Sequence, residues 1–371
     1  MIRIGITGPT GFFGNHVRWF FFSRKNDVEI IEIPRTCFGG NNVELSERLK
    51  SCDVILHLAK AHPGNTPTDA IYDINIELAK KLTGALNAAG TRPYIIFEST
   101  TQIHRDAPYG NSKREIGKML LEWGQLHGAK VTNLIIPNEF GEWGKPFTTS
   151  VVSTFCHQIA RGEPSTVHPE AKVPLIYVRD VAEHIGKLIK EPHTGDVELS
   201  GVDTPVADIY AILRRQYDSY AKGVVPAFQT PIEMQLFNTL RSHLFMNGFY
   251  PRKFEPKSDA RGALVEIVKT TGGGQTFISS TVPDVVRGNH YHTRKIERFA
   301  VIQGTARICV RKLLSEEVVT FDVSGDTPVY IDMPTFATHN IRNTGTDELI
   351  TAFWTNEIYD PTDPDTFPEP V

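Results

Sequence analysis

Short β-branched runs alternate with longer amphipathic stretches through the first half of the chain, a pattern that predicts parallel strands joined by crossover helices. Strands are expected over residues 3–7, 28–33, 54–58, 94–98 and 131–136, with helices over 74–88 and 112–126. From about Gly262 the texture changes to short alternating strands broken by Gly, Pro, Asn and Asp, as at 306–313, 317–323 and 349–354. The chain therefore reads as a doubly wound parallel α/β sheet over residues 1–246 followed by an all-β barrel over 247–371. A linker is expected at about 247–261, where Gly248, Pro251 and Pro256 stand among charged residues.

Length supports the division, because 371 residues exceed the size at which one hydrophobic core usually stops growing. A formal net charge of -4 and an ordinary apolar content argue against a polyanionic partner, so nucleic acid is not an expected ligand. Cys37, Cys52, Cys156 and Cys309 are widely spaced with no Cys-x-x-Cys pair, which suits buried free thiols in a reducing compartment. The chain enters a strand-like run at once, with no basic region, apolar signal core or cleavage site, and no transmembrane span follows. A soluble cytoplasmic protein is the expectation, and any part in surface assembly would be played on soluble precursors.

Candidate chemistry begins at Gly8, Gly11 and Gly14, a Gly-x-x-Gly-x-x-Gly turn between the first strand and the first helix. Glycines there let the backbone approach a pyrophosphate, whose charge faces the positive helix N-terminus. The end of the second strand, where an acid would grip a ribose, holds Pro34 and Arg35. A guanidinium suits a 2′-phosphate, so NADPH is expected; Glu32 as a ribose ligand and Arg35 as a solvated surface residue remain alternatives. Tyr109 and Lys113 are four residues apart on one helix face, and an adjacent cation favours a phenolate, so the pair is expected to exchange a proton with a substrate oxygen near neutral pH. Shortly upstream, Ser99, Thr100 and Thr101 place hydroxyls at the end of a strand facing the cofactor crevice.

These features, with the run 53–59 and Pro137-Asn138-Glu139-Phe140-Gly141, resemble the extended short-chain dehydrogenase/reductase family over about the first 245 residues. The resemblance implies a Rossmann-type fold, a cofactor site that includes Gly8, Gly11, Phe12, Gly14, Leu58 and Ala59, and a catalytic set of Thr100, Tyr109 and Lys113. Thr100 would hydrogen-bond the carbonyl being reduced, Tyr109 would act as acid, and Lys113 would be its partner and could also hold the nicotinamide ribose. Members of this type commonly act on nucleotide sugars, with Asn138 matching a substrate-contacting asparagine. Ile135 stands where many relatives keep an Arg, so one substrate contact must differ.

The second half carries His290-Tyr291-His292, then Glu297 and Gly304, then His339 and Asn343. Alternate residues of a strand face one side, so His290 and His292 both point into a small barrel where Glu297 and His339 can complete a coordination shell. Three imidazoles and one carboxylate suit Zn, Fe, Mn or Ni, and zinc is the first choice. The pattern resembles the cupin superfamily over about 259–364, and Asp259-Ala260-Arg261-Gly262 with Glu266 resembles the entry segment of cupin-type nucleotide-sugar epimerases. Phe336 replaces the glycine expected before His339, a change expected to reshape the pocket mouth but spare the ligand.

Both halves together resemble the bifunctional capsule and O-antigen enzymes of the CapF type, a resemblance that includes Pro108-Tyr109-Gly110, Trp143-Gly144-Lys145-Pro146 and Gly288-Asn289-His290. It implies C3 epimerisation of a UDP-4-keto-6-deoxy-N-acetylhexosamine in the cupin, then NADPH-dependent reduction at C4. The product would be UDP-2-acetamido-2,6-dideoxy-L-talose, a precursor of UDP-N-acetyl-L-fucosamine. A homodimer or higher homo-oligomer is expected, since such reductases often pair through helices and cupins through strand edges. A reductase with a purely structural cupin, and a non-catalytic nucleotide-sugar or NADP sensor, are the alternative readings. No base for the cupin emerges: Tyr291 alternates away from the ligand face, His104 lies in the other domain, and Tyr330 is eligible by residue type alone. His57 and His62 read as structural.

Overall fold

The computed structural model describes residues 1–24, 27–40, 43–64, 66–148, 150–260 and 262–371, so Arg261 of the epimerase-like entry segment lies outside the described residues. It divides into two compact units, Met1–Thr154 with His168–Val206 and Phe155–Val167 with Ala207–Val371.

The first unit is built on β1 (Ile2–Thr7), β2 (Val28–Ile33), β3 (Val54–His57), β4 (Tyr94–Thr100) and β5 (Val131–Ile136), all parallel, in the order β2-β1-β3-β4-β5 with Gly195–Glu198 beyond β5. Alternate residues feed two cores: Ile4, Ile6, Leu56, Ile96 and Leu134 on one face, and Ile33, Ile55, Ile95, Phe97 and Val131 on the other. Burial on both faces explains why these strands read as continuous apolar runs. The strand order reverses between β1 and β3, and in such sheets ligands bind at the carboxyl ends of the strands beside that switch.

Two element ends differ from the sequence expectation, and both position chemistry. β4 runs on to Thr100, so its polar end, Ser99 and Thr100, belongs to the sheet. The following helix begins at Pro108, not 112, because proline at the first helical position needs no amide partner and its φ already suits the helix. The early start places Tyr109 and Lys113 on one rigid element. That helix ends at His127, with Gly128 in the left-handed conformation at φ +69.

The second unit holds two five-stranded sheets with antiparallel pairing, a jelly-roll of cupin type. One runs Arg252–Lys253, Val329–Met333, Glu297–Gln303, Leu349–Thr355, Gln275–Thr281; the other runs Val318–Ser324, Thr305–Lys312, Ala337–Asn343, Val286–Tyr291, Phe367–Pro368. The linker expected at 247–261 is partly structured, since Arg252 and Lys253 pair with Tyr330 and Val329.

The compact division also falls at Val206/Ala207 instead of the expected 246/247. The reason is a buried polar network joining the intervening helices to the barrel. Asn238 donates to the Arg294 carbonyl at 3.0 Å, Arg241 donates to the Met333 carbonyl, and Tyr220 donates to Asp332, which also receives Arg298 at 2.7 and 2.8 Å. Separating those helices from the barrel would leave buried charges unpaired, at a cost of several kcal/mol.

Candidate reductase site and metal centre

The glycine turn after β1 is shaped by contacts that admit no side chain. Gly8 lies at φ +68, where a Cβ would stand 3.0 Å from the Ala59 Cα, and a Cβ on Gly14 would meet the Gly8 carbonyl oxygen at 2.4 Å. Thr7 fixes the facing strand end: its hydroxyl accepts the amides of Leu58 and Ala59, each at 3.0 Å, and pairs with His57 Nδ1 at 2.9 Å. Burial pushes His57 down to about 3, so it is a neutral structural partner. The helix Phe12–Phe22 starts at Gly11 with no side-chain cap and no acid in its first turn, leaving its first amides for an anion.

Next to this turn a cavity of about 260 Å³ is lined by Phe12, Lys60, Thr100, Tyr109, Asn138 and Glu139, together with His62, Glu98 and others. The structure thus gathers Phe12, Thr100, Tyr109 and Asn138 around one space. Lys113 is 1% exposed and does not line it; its ammonium donates to the Glu98 main-chain carbonyl and lies 4.6 Å from the Phe97 ring centroid. Lys60, which lines the same cavity as Tyr109, forms an ion pair with Glu98. Lys113 lies beside the phenol, its ammonium 5.8 Å from the Tyr109 ring centroid and held by the Glu98 carbonyl. Burial pushes Tyr109 up to about 12, with Lys60 pulling the other way, so the phenol stays protonated at neutral pH. Burial also pushes Lys113 down to about 8, against the pull of Glu98.

Arg35 is exposed in a surface depression with Phe38, Asp73, Lys80 and Lys81, and makes no hydrogen bond or ion pair among the described residues. Glu32 has its own cation in Arg18, which makes it a poor ribose ligand.

In the second unit, the backbone at Gly288 (φ +96) and Asn289 (φ +59) kinks the strand Val286–Tyr291 and shifts its register between Gly288 and His290. A Cβ on Gly288 would meet the His339 carbonyl oxygen at 2.8 Å, so glycine is required where these strands touch. His290, His292, Glu297 and His339 then converge, with one ligand atom of each within 4.8 Å of the others. Glu297 Oε2 stands 3.0, 3.1 and 3.5 Å from Nε2 of His292, His339 and His290. A tetrahedral ion with bonds of about 2.1 Å has ligand-to-ligand edges of about 3.4 Å, so the donor set fits a divalent metal.

Outer partners fix two rings: His292 Nδ1 meets the Asp365 carbonyl at 2.6 Å and His339 Nδ1 meets the Ala337 carbonyl at 3.1 Å, which leaves both Nε2 atoms for an ion. Burial works against the Glu297 carboxylate, yet the three imidazoles outweigh it and hold its pKa well below the usual range. The group opens on a cavity of about 380 Å³ lined by Phe277, Phe299, Ile341 and Phe353 with Arg287 and Lys295.

Phe336 does not line that cavity. It is 3% exposed at φ +59, held by its amide on the His292 carbonyl at 2.8 Å and by its own carbonyl on the Leu313 amide at 2.9 Å. The expectation that it reshapes the mouth is thus corrected: packing holds it in the left-handed conformation, behind the ligands. Tyr291 is stacked on Phe367 and Tyr330 lies 3.8 Å below the Arg298 guanidinium, and neither lines the cavity.

Sequence reasoning missed Lys60, Glu98, Lys295 and Asp365. Asp365 is buried, and its carboxylate accepts the amides of Thr293, Arg294 and Lys295 at 3.0, 3.0 and 2.9 Å, clamping the turn between His292 and Glu297. Asp365→Ala is therefore expected to weaken metal affinity about 10–100-fold, measured by competition with a chelator. Unchanged affinity would remove Asp365 from the site.

A family model described as the NAD dependent epimerase/dehydratase family matches residues 4–200, and one described as the Polysaccharide biosynthesis C-terminal domain matches 257–367. A UDP-2-acetamido-2,6-beta-L-arabino-hexul-4-ose reductase of Pseudomonas aeruginosa is 30% identical over 370 residues, covering 99% of this chain and 98% of its own. The crystal structure of the capsular polysaccharide assembling protein CapF of Staphylococcus aureus matches with a TM-score of 0.61 and 31% identity over 100% of both chains. The chain belongs to the NAD dependent epimerase/dehydratase family, in its CapF-type branch. A UDP-glucose 4-epimerase of Thermotoga maritima, 20% identical with a TM-score of 0.56, covers 67% of the chain and shares the fold alone. Membership implies a nicotinamide dinucleotide, and the side-chain-free cradle at Gly8 and Gly14 beside an uncapped helix start fits its pyrophosphate.

Proposed function

We propose that the chain is a bifunctional enzyme of capsule or O-antigen biosynthesis. The barrel inverts C3 of a UDP-4-keto-6-deoxy-N-acetylhexosamine, and the first unit then reduces C4 with NADPH to give UDP-2-acetamido-2,6-dideoxy-L-talose. The observation that carries this reading is a pair of equipped cavities in one chain, one holding Thr100 and Tyr109, the other opening on His290, His292, Glu297 and His339. The Pseudomonas relative is named a UDP-2-acetamido-2,6-beta-L-arabino-hexul-4-ose reductase, and a 4-ulose is the ketone this order of events requires. Reducing the ketone first would abolish the acidity at C3 on which epimerisation depends.

In the barrel, a 4-keto group acidifies the hydrogen at C3, and removal and return of that proton on opposite faces inverts the centre. His290, His292, Glu297 and His339 would hold the metal, zinc in this reading, which would supply Lewis acidity to the carbonyl oxygen when bound. Lys295 is 5% exposed, lines the same cavity on the alternation 295, 297, 299, and has no ion pair among the described residues. Its ammonium is placed to meet negative charge as it develops on the substrate oxygen.

In the reductase cavity, NADPH supplies the hydride when bound. Thr100 orients the carbonyl through a hydrogen bond, Tyr109 gives it a proton, and Asn138 contacts the sugar. Arg35 grips the 2′-phosphate, so Arg35→Ala is expected to raise KM for NADPH about 10–100-fold while leaving KM for NADH unchanged. Equal effects on both cofactors would sink the NADPH assignment.

Among the described residues no helix is long and apolar enough to cross a membrane. Soluble cytoplasmic precursors and a homodimer or higher homo-oligomer complete the proposal. Metal-loaded protein without dinucleotide tests the epimerase half. It should exchange the C3 hydrogen of the keto-sugar for deuterium, and failure would leave the barrel a scaffold.

A further inference from the structure

We propose that Glu139 is a specificity-determining residue of the reductase cavity, its carboxyl group hydrogen-bonding the hydroxyl at C3 of the keto-sugar. The proposal rests on the reading of this cavity as the place where C4 is reduced.

Glu139 lines the cavity together with Thr100, Tyr109 and Asn138, and follows Asn138 on the short strand Asn138–Phe140. That strand pairs in parallel with Lys172–Tyr177, Glu139 opposite Ile176, so the carboxyl is carried on a sheet and not on a free loop. The carboxyl group itself is unengaged. Its Oε1 is buried with no hydrogen-bond partner, and among the described residues no hydrogen bond or ion pair reaches the group. Nearly all buried polar groups in folded proteins are hydrogen-bonded, so an exception in a cavity wall points to a ligand that brings the partner with it.

The neighbouring cations are directed elsewhere. Lys60 forms its ion pair with the Glu98 carboxylate, and Lys113 donates to the Glu98 main-chain carbonyl and lies 4.0 Å from Glu98 Oε2. His62, also in the lining, has its Nδ1 on the Pro63 carbonyl at 2.7 Å. Burial, and then the charge of Glu98, raise Glu139 to about 8, so the carboxyl is largely neutral at neutral pH. A neutral carboxyl can both donate to and accept from a hydroxyl, and it does not repel the diphosphate of a nucleotide sugar.

The chemistry of the sugar selects the partner. The ring of a 2-acetamido-6-deoxy-4-ulose carries two hydrogen-bond donors, the C3 hydroxyl and the acetamido N–H at C2, while C6 is a methyl group. At about 260 Å³ the cavity falls below the range of roughly 300–1,000 Å³ that takes a whole drug-sized ligand, so it suits the sugar ring and not the nucleotide. With the C4 carbonyl at Thr100 and Tyr109, the C3 hydroxyl stands on the adjacent carbon and the N–H one carbon further off. A carboxyl in the wall of the same small cavity meets the nearer donor.

The test measures NADPH oxidation by the full chain with two substrates, the C3-inverted UDP-4-keto-6-deoxy-N-acetylhexosamine and its 3-deoxy analogue. The analogue has no centre at C3 to invert, so the barrel does not disturb the comparison. Wild type should reduce the 3-hydroxy sugar with kcat/KM about 10–100-fold above that for the analogue, the usual cost of leaving a buried polar group unpaired. Glu139→Ala should lower kcat/KM for the 3-hydroxy sugar by a similar factor and leave the analogue within about threefold of wild type, so that the preference collapses. Glu139→Gln keeps a donor and an acceptor in the same shape and should hold the preference within about threefold of wild type.

A Glu139→Ala protein that still prefers the 3-hydroxy sugar as wild type does would overturn the proposal. So would an equal fall on both substrates in either variant, which would make Glu139 a packing residue. Wild-type protein that reduces neither sugar would overturn the underlying reading of the cavity, and is distinguishable because it does not involve the variants.

Discussion

Tyr109→Phe is expected to lower kcat for keto-sugar reduction about 10²–10⁴-fold, the usual contribution of a positioned acid, while dinucleotide affinity stays within about twofold. The substitution removes one hydroxyl from a side chain whose ring is already packed, so the helix and cavity should survive it. The change should fall on kcat and kcat/KM alike, because the proton moves only in the transition state. Steady-state oxidation of NADPH with keto-sugar present, and quenching or enhancement of cofactor fluorescence without it, separate the two effects. A variant that reduces at the wild-type rate would remove Tyr109 from the chemistry.

Removing a metal ligand should be as severe for the other half. His290→Ala or His339→Ala should leave the protein without tightly bound metal and slow C3 exchange about 10³-fold, since Lewis-acid stabilisation is worth several kcal/mol. Reduction of a substrate already inverted at C3 should continue at close to the wild-type rate. Metal analysis with exchange measured in deuterated water checks the first outcome, and NADPH oxidation checks the second. Exchange that persists in metal-free protein would show that the ion only braces the barrel.

The two sites were not equally legible. The glycine turn was readable because positive φ at Gly8 and close approach at Gly14 leave glycine alone fit for those positions. The convergence of His290, His292, Glu297 and His339 was readable because strand alternation and spacing bring three histidines and a glutamate into register. Fold class followed from apolar runs buried on two faces in the first unit and alternation in the second.

The missing parts depend on distance along the chain. Asp365 clamps Thr293, Arg294 and Lys295 from the far end of the sequence, and nothing local to either segment signals it. Lys60 and Glu98 lie after β3 and near the end of β4, and only the pairing of the sheet puts them together. The helix that carries Tyr109 starts at Pro108, a turn before the periodic stretch 112–126, because the polar and glycine residues of its first turn carry no apolar repeat. The domain boundary was misplaced because Gly248, Pro251 and Pro256 resemble a linker, whereas buried Tyr220 and Arg241 bind the preceding helices to the barrel.

The central claim is that one chain both inverts and reduces the same sugar. Incubating the metal-loaded protein with NADPH and UDP-4-keto-6-deoxy-N-acetylhexosamine in deuterated water, with the product read by NMR, tests it directly. The expected product carries deuterium at C3, inverted configuration there and a hydroxyl at C4. A C4 alcohol with hydrogen and the original configuration at C3 would contradict the claim.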